Sequence, residues 1–450
     1  MNNNGAVMKK VCLAIDIGAS SGRHIVGWQN GEDIETCEVY RFKNGMEEGC
    51  SGLIWDHNAL FSNVLEGIKR AFLEYDVVSL SIDTWGVDYG LIDHNGELIP
   101  PVYAYRNSRT IRAKDDVHNI ISAAELYKKT GLQYQPYNTI YQLYSDKLEG
   151  RLSGAKCMLM IPTLLSYWLT GVVVNEYTNA KTTGLIDVET GSVSRDIMER
   201  LGIQNIITDI RNAGYVLGRL LPDIAEKVGG QTAVMLCATH DTASAVVGAE
   251  VNEGQLYLSS GTWSILGVEV ERAVNSEEAR RYGLSNEGGL NGKTRLQKNL
   301  MGMWVVNNLM HEHPEIPDPD TGMYMARDSG FCYIVDINDE SLLAPKSMSE
   351  AIRALAIKSG HPEPKNFAEL MAVALHSLAY GYAETIKSLE DITQTTYNSV
   401  VVVGGGARSL YLNELTAKYS GKQVIARPKE ATSIGNLKIQ LKNQYKWSKL

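Results

Sequence analysis

Long apolar runs are missing from this 450-residue sequence: none approaches the ~18–20 residues that a membrane-crossing helix needs. The opening Met1-Asn2-Asn3-Asn4-Gly5 also lacks the apolar core of a secretory signal. Cysteine is sparse, with six residues (Cys12, Cys37, Cys50, Cys157, Cys237, Cys332) and no Cys-x-x-Cys spacing. That speaks against a zinc site and for free, mostly buried thiols in a reducing cytoplasm. Positive charge is in deficit, 43 Lys and Arg against 52 Asp and Glu, for a formal net charge of -9. A general nucleic-acid surface needs the opposite sign. A phosphate ligand stays open, because a few local N–H groups and one Arg can hold one. No low-complexity tract, heptad seam or solenoid period is present. The length allows two or three domains with two sizeable cores.

What the sequence does have is one pattern twice. A short apolar strand runs into a hydroxyl-rich glycine turn at Val11-Cys12-Leu13-Ala14-Ile15-Asp16-Ile17-Gly18-Ala19-Ser20-Ser21-Gly22-Arg23, and again at Leu256-Tyr257-Leu258-Ser259-Ser260-Gly261-Thr262-Trp263-Ser264. Glycine turns the backbone tightly, and successive N–H groups with Ser or Thr hydroxyls form an anion cradle. Two such hairpins suggest two related lobes facing one polyphosphate.

Strands and helices alternate, which predicts an α/β architecture. Strands are expected at 11–17, 77–82, 233–238 and 399–403, and an apolar stripe through Leu60, Val64, Leu65, Ile68 and Phe72 predicts a helix. Asn366 and Glu369 form a capping box before a second apolar stripe. Gly404-Gly405-Gly406 follows the last of those strands and precedes a helix, which suits close approach to a nucleotide. The turn Asn252-Glu253-Gly254 opens the second lobe, and the polar, three-proline segment 311–330 is expected to be a surface loop.

Several positions carry two readings. Asp16 either helps hold Mg²⁺ or caps the turn, and Arg23 either contacts phosphate or lies solvated. Asp241, in His240-Asp241-Thr242-Ala243-Ser244-Ala245, is either a base for an attacking hydroxyl or a helix N-cap. Asp83-Thr84-Trp85-Gly86-Val87-Asp88 pairs an aromatic wall with a polar rim, which suits a sugar or a buried turn equally.

Together these strings resemble the FGGY family of carbohydrate kinases, within the actin–hexokinase–Hsp70 superfamily. The likeness rests on residues 16–23, 82–88, 240–246, 257–264 and 403–406, is weaker at 175–180 and 286–289, and runs from about residue 10 to about residue 441. It implies two ribonuclease-H-like (actin-like ATPase) domains around a central cleft: 8–248, holding sugar and the first phosphate hairpin, and 252–450, holding nucleotide. It implies ATP and Mg²⁺ as cofactors, a small-molecule ketose as partner, no nucleic acid, no membrane and a cytoplasmic setting; oligomeric state stays unread. The expected reaction is phosphorylation of the C1 hydroxyl of L-rhamnulose, ahead of L-fuculose or D-xylulose. Residue by residue, Asp241 becomes the general base and Asp16 helps organise Mg²⁺. Ala19, Ser20, Ser21, Gly22 and Arg23 face the ATP phosphates opposite Thr262, and Asn307 and Gly405 lie against the nucleotide. Gly86, His240, Thr242 and Asn299 line the sugar. Three features depart from the family pattern: Asn107 where an Asp is usual, which is expected to alter sugar preference; Lys438 in a helix expected near the nucleotide lobe; and an end at Leu450 with basic Lys442, Lys446 and Lys449. A silent binding protein and a superfamily assembly protein are the rivals outside the enzyme class. The intact Asp16 and Asp241 and the sugar strings weigh against them.

Overall fold

The computed structural model describes residues 8–427 and 430–448; the Met1–Gly5 opening and Lys449 fall outside them. Strand β1 (Lys10–Ile17) is buried from Val11 onward, as a strand covered on both faces must be. It turns back as β2 (Ser21–Asn30), which pairs with β3 (Asp33–Lys43), and its other edge lies parallel to β4 (Asp76–Thr84). Parallel to β4 runs β5 (Ala233–Met235), giving the order β3-β2-β1-β4-β5 with Val216–Arg219 at the edge. The plan then repeats. Strands β6 (Gln255–Ser260), β7 (Trp263–Val270), β8 (Ser285–Gly288), β9 (Thr294–Met301), β10 (Ser399–Val403) and β11 (Gln423–Ala426) form a sheet of order β8-β9-β7-β6-β10-β11. Without the outer β8, both sheets have an antiparallel trio continued by two parallel strands. The repeat visible in two glycine turns is thus a repeat of a whole sheet.

The helices that position the site are α1 (His57–Glu74), α2 (Asp241–Ala249), α3 (Met303–Glu312), α4 (Pro319–Asp328), α5 (Phe367–Thr393), α6 (Leu410–Ser420) and α7 (Ala431–Lys442). Helix α1 buries Leu60, Val64 and Ile68 against Leu13, Ile15 and Leu80 of the first sheet. Helix α5 buries Leu370, Val373 and Leu378 against Leu256, Leu258 and Val400 of the second. Its start is the capping box read from sequence: Asn366 Oδ1 accepts the Glu369 N–H at 3.0 Å, and Glu369 Oε2 accepts the Lys365 N–H at 2.6 Å.

Two expectations are corrected and one is refined. Segment 311–330 contains α4, because Pro319 occupies its first turn, where a missing N–H costs nothing, and Asp318 caps it by accepting the Thr321 N–H at 2.8 Å. The thiols are half buried and half exposed: Cys12, Cys157 and Cys237 are inside, Cys37, Cys50 and Cys332 outside, and all six are free. Helix α7 starts against the second sheet, with Ala431 beside Val401 and Val403, and from Leu437 on it lies on the first. Its Leu437 packs with Cys12, Ala14 and Ile25, and Gln440 Nε2 donates to the Leu13 carbonyl at 2.9 Å. Lys438 stays out of that core, with its ammonium on Glu250 at the end of α2. Among the described residues no helix is long and apolar enough to cross a membrane.

Helix α2 carries the chain from the first sheet to the second, and α7 brings it back. They cross with backbones touching: a Cβ on Gly248 would lie 1.8 Å from the Ala431 carbonyl oxygen, and one on Gly435 would lie 1.8 Å from that of Ser244. No side chain fits there. Gly435→Ala is therefore expected to cost about 1–3 kcal/mol of stability, seen as a lower denaturation midpoint, and an unchanged midpoint contradicts the crossing.

Under the first hairpin, the fully buried His24 places Nε2 3.2 Å from the Val64 carbonyl and leaves Nδ1 without a partner. Burial pulls its pKa down to about 3. Below the ordinary imidazole pKa of about 6.5 the unfolded chain takes up a proton that the native ring refuses. This contribution to stability is complete above that value and is lost as pH falls toward 3. An NMR titration of His24 is expected to show a neutral ring through pH 5; a midpoint near 6.5 contradicts its burial.

Candidate active site

Three carboxylates converge beneath α7, where β1 and β4 end and α2 begins. Asp16 and Asp83 are register neighbours on the parallel strands β1 and β4, with Asp16 4% and Asp83 0% exposed. Burial pushes Asp16 up to about 6; the Arg23 charge opposes the rise, and the charges of Asp241 and Glu430 add to it. Burial and the charge of Asp16 hold Asp83 well above the usual carboxylate range. Helix α7 supplies the polar groups that make this tolerable. Asn436 Nδ2 donates to Asp83 Oδ2 at 2.6 Å, and Ser433 Oγ donates to Asp16 Oδ2 at 3.3 Å. Asp83 Oδ1 has no partner. The Arg23 guanidinium bridges Asp16 (Nε–Oδ2 3.2 Å) and Glu430, just before α7.

Asp241 is the first residue of α2, and the residue in the capping position is His240. The N-cap reading of Asp241 is therefore not realised. Its Oδ1 accepts from Thr242, N–H at 2.6 Å and Oγ1 at 3.2 Å, while the side chain stays 32% exposed at a positively polarised helix end. The segment before it is pinned by Glu176, fully buried, whose Oε2 accepts from Thr239 N–H at 3.0 Å and Thr239 Oγ1 at 2.9 Å. The His240 N–H donates to Thr178 Oγ1 at 3.2 Å. Its ring lies with Nε2 3.5 Å from Asp241 Oδ1 and Nδ1 3.2 Å from Glu287 Oε2.

The glycine turns stand at the rim. In the first, Gly18 N–H donates to the Ser21 carbonyl at 2.9 Å, and Asn44 laces it by donating to Gly18 (side chain, 2.8 Å) and Ser20 (backbone, 3.0 Å). Ala19 and Ser21 are half-buried and Ser20 is exposed; Gly22 is inside, where a Cβ would meet the Phe42 ring at 2.2 Å. Gly22 is thus required by packing against Phe42. The second turn sits on the start of α3, whose Met303 and Trp304 N–H groups donate to the Gly261 and Thr262 carbonyls at 2.8 and 3.2 Å. Thr262 is exposed, and so is Asn307, one turn farther along α3. Gly404 has φ 84°, and a Cβ on Gly406 would strike Ser260 Oγ at 2.0 Å, so the glycine triplet rests against the second hairpin. Gly405 faces open space.

At the other end, Gly86 is buried against Thr182, whose Oγ1 accepts the Val87 N–H at 3.0 Å. Asp88 fixes the aromatic wall: its Oδ2 accepts from the indoles of Trp55 (2.7 Å) and Trp85 (3.0 Å), whose rings lie 4.2 Å apart. Asn299, opposite Ile265 in β9, has a buried Oδ1 with no partner, a free acceptor for a ligand donor. Across the lobes, the Arg106 guanidinium lies 5.5 Å from the Trp304 ring. Asn107 is turned away from this region. Its Nδ2 donates to the Ser51 and Leu53 carbonyls, each at 3.0 Å, and its Oδ1 accepts the Arg109 N–H at 3.0 Å. Those backbone contacts hold its side chain in place.

Two lobes of this shared order, joined by crossing helices with ligand-ready turns between them, make the fold that of the two-domain actin-like ATPases. It is shared with a ligand-bound xylulose kinase from Lactobacillus acidophilus (TM-score 0.81, 16% identity, 97% of this chain and 90% of that one). It is shared too with a glycerol kinase from Plasmodium falciparum in complex with ADP (TM-score 0.77, 15% identity, 97% and 90%). The N-terminal domain model of the FGGY family of carbohydrate kinases matches residues 11–248 and the C-terminal domain model residues 256–443. Proteins named rhamnulokinase from Oceanobacillus iheyensis and Bacillus subtilis are 38% and 37% identical to it over 96% of this chain, covering 93% and 90% of their own lengths. The chain belongs to the FGGY family and is an ATP-dependent carbohydrate kinase, acting on a small-molecule sugar.

Sequence reading placed Asp83 in a sugar-suited string and not beside Asp16, and gave no role to Glu287, Arg295, Glu430, Ser433 and Asn436. Asp83 was signalled by ending a strand in register with Asp16; the α7 residues carried no local signal. Because Gly406 supports the second turn, Gly406→Ala is expected to raise KM for ATP about tenfold, the equivalent of some 1.4 kcal/mol of binding. An unchanged KM separates the triplet from the nucleotide.

Proposed function

We propose that this kinase transfers the ATP γ-phosphoryl group to the C1 hydroxyl of L-rhamnulose, in L-rhamnose breakdown in the cytoplasm, with Asp241 as general base. The observation that carries the base assignment is the freedom of Asp241: its carboxylate is open to the cleft, at the start of α2, beside Asp16 and His240. The relatives named rhamnulokinase support the sugar, and three exposed free thiols suit a reducing compartment. Residues 8–248 and 252–450 act as its two domains, with α7 returning to the first.

In this reading the sugar lies between Gly86, His240, Thr242 and Asn299, where the unpartnered Asn299 Oδ1 accepts from a hydroxyl. The turn from Ala19 to Arg23 and the turn at Thr262 surround the phosphates, and Gly405 and Asn307 flank the nucleotide. Among the described residues no group of three His, Cys, Asp or Glu side chains forms a metal cage. The buried Asp16 carboxylate beside the first turn fits Mg²⁺, a hard cation that keeps most of its water and arrives on phosphates, and would hold it through water. The ion would supply charge neutralisation at the transferring group. Asp241 takes the C1 hydroxyl proton as attack proceeds, and closure of the lobes keeps water from competing.

ADP release from MgATP with L-rhamnulose, L-fuculose or D-xylulose tests both halves. The highest kcat/KM is expected for L-rhamnulose; preference for another ketose discards the substrate and keeps the chemistry. Asp241→Asn is expected to lower kcat by on the order of 10²–10⁴, and near-normal turnover rejects the base.

A further inference from the structure

His240 belongs to the first lobe by its backbone and to the second by its ring. Both groups within reach of Nδ1 come from the second sheet: Glu287 of β8, with Oε2 at 3.2 Å, and Arg295 of β9, with Nη2 at 3.1 Å. Arg295 is 1% exposed and fully engaged. Its Nε donates to the Gly288 carbonyl at 2.8 Å, its Nη1 to Gln297 Oε1 at 3.1 Å and its Nη2 to Glu287 Oε2 at 2.9 Å. Gln297 is fixed in turn by the Tyr257 hydroxyl of β6 at 2.7 Å. An ion pair buried this deeply gains little stability over apolar residues of the same volume, so its worth lies in what it orients.

We propose that Glu287 and Arg295 are positioning residues that reach across the cleft and hold the His240 ring, so that Nε2 is presented to Asp241 and the sugar. This rests on Asp241 being the base. Nδ1 is occupied from the second lobe, which leaves Nε2, 3.5 Å from Asp241 Oδ1, as the ring nitrogen facing the reacting groups. The His240 N–H is set by Thr178 of the first lobe. The ring is therefore aligned only when both lobes are in place, which couples alignment of the base to cleft closure. Burial acts to raise the Glu287 carboxyl, but the His240 hydrogen bond and the Arg295 charge bring it down to about 2, so the pair stays ionised.

The test is a double-mutant cycle on ketose-dependent ADP release. Glu287→Gln is expected to lower kcat on the order of 10- to 100-fold, the cost of a slightly misplaced catalytic group, and to leave KM for ATP unchanged. In a His240→Ala background the same substitution is expected to cost nothing further. Equal losses in both backgrounds, the additive behaviour of a merely structural residue, overturn the proposal. Glu287→Gln leaves Arg295 buried alone; should that unfold the chain, the charge-neutral Glu287→Gln/Arg295→Met variant must show the same fall in kcat. Full turnover in Glu287→Gln beside an inactive Asp241→Asn rejects this inference alone, whereas turnover surviving in Asp241→Asn rejects the base. If no ketose is turned over, ¹⁵N spectra of the His240 ring decide: a shift in Glu287→Gln is expected, and an unchanged ring overturns the contact.

Discussion

The backbone contact between α2 and α7 at Gly248 and Gly435 is the constraint on which the site depends. Helices usually keep 8–10 Å between axes because side chains stand between them. Removing those side chains lets α7 drop onto the first sheet, where Leu437 fills the space above Gly27 and Gln440 reaches the Leu13 carbonyl. The same descent carries Ser433 and Asn436 to Asp16 and Asp83. A Cβ on either glycine would lift α7 and take Ser433 from Asp16 and Asn436 from Asp83.

Electrostatics then divides the acidic groups by task. Asp83 is sealed in and held above the usual carboxylate range by burial, and Asp88 is pushed up to about 6 by burial while its hydrogen bonds tie two indoles together. Neither is open to a ligand. Asp16 keeps its charge beside Arg23, and Asp241 alone opens to the cleft at a helix start. Two glycine turns come from opposite lobes, while Trp85 and Gly86 lie buried at the other end.

Much of this was legible in the sequence. Asp16, Asp241 and both hairpins were readable because a strand and the turn or helix after it are contiguous, so local pattern places the side chain at the strand's end. The paired sheets followed from the repeated hairpin. Helix α4 was hidden because proline signals a loop and a helix start equally, and only the Asp318 cap separates them. The direction of the Asn107 side chain is not in the string; its three bonds to backbone set it. Glu287 and Arg295 were beyond local reading altogether, since their meaning comes from His240 on the other lobe.

Phosphoryl transfer to a primary hydroxyl by a base fixed at the start of α2 is the central claim, and the ³¹P NMR spectrum of the product tests it most directly. After incubation with MgATP and L-rhamnulose, the new phosphate monoester signal is predicted to be split by two protons, those of the C1 methylene. A signal split by one proton would place the phosphate on a secondary hydroxyl. Release of inorganic phosphate alone would contradict transfer to the sugar.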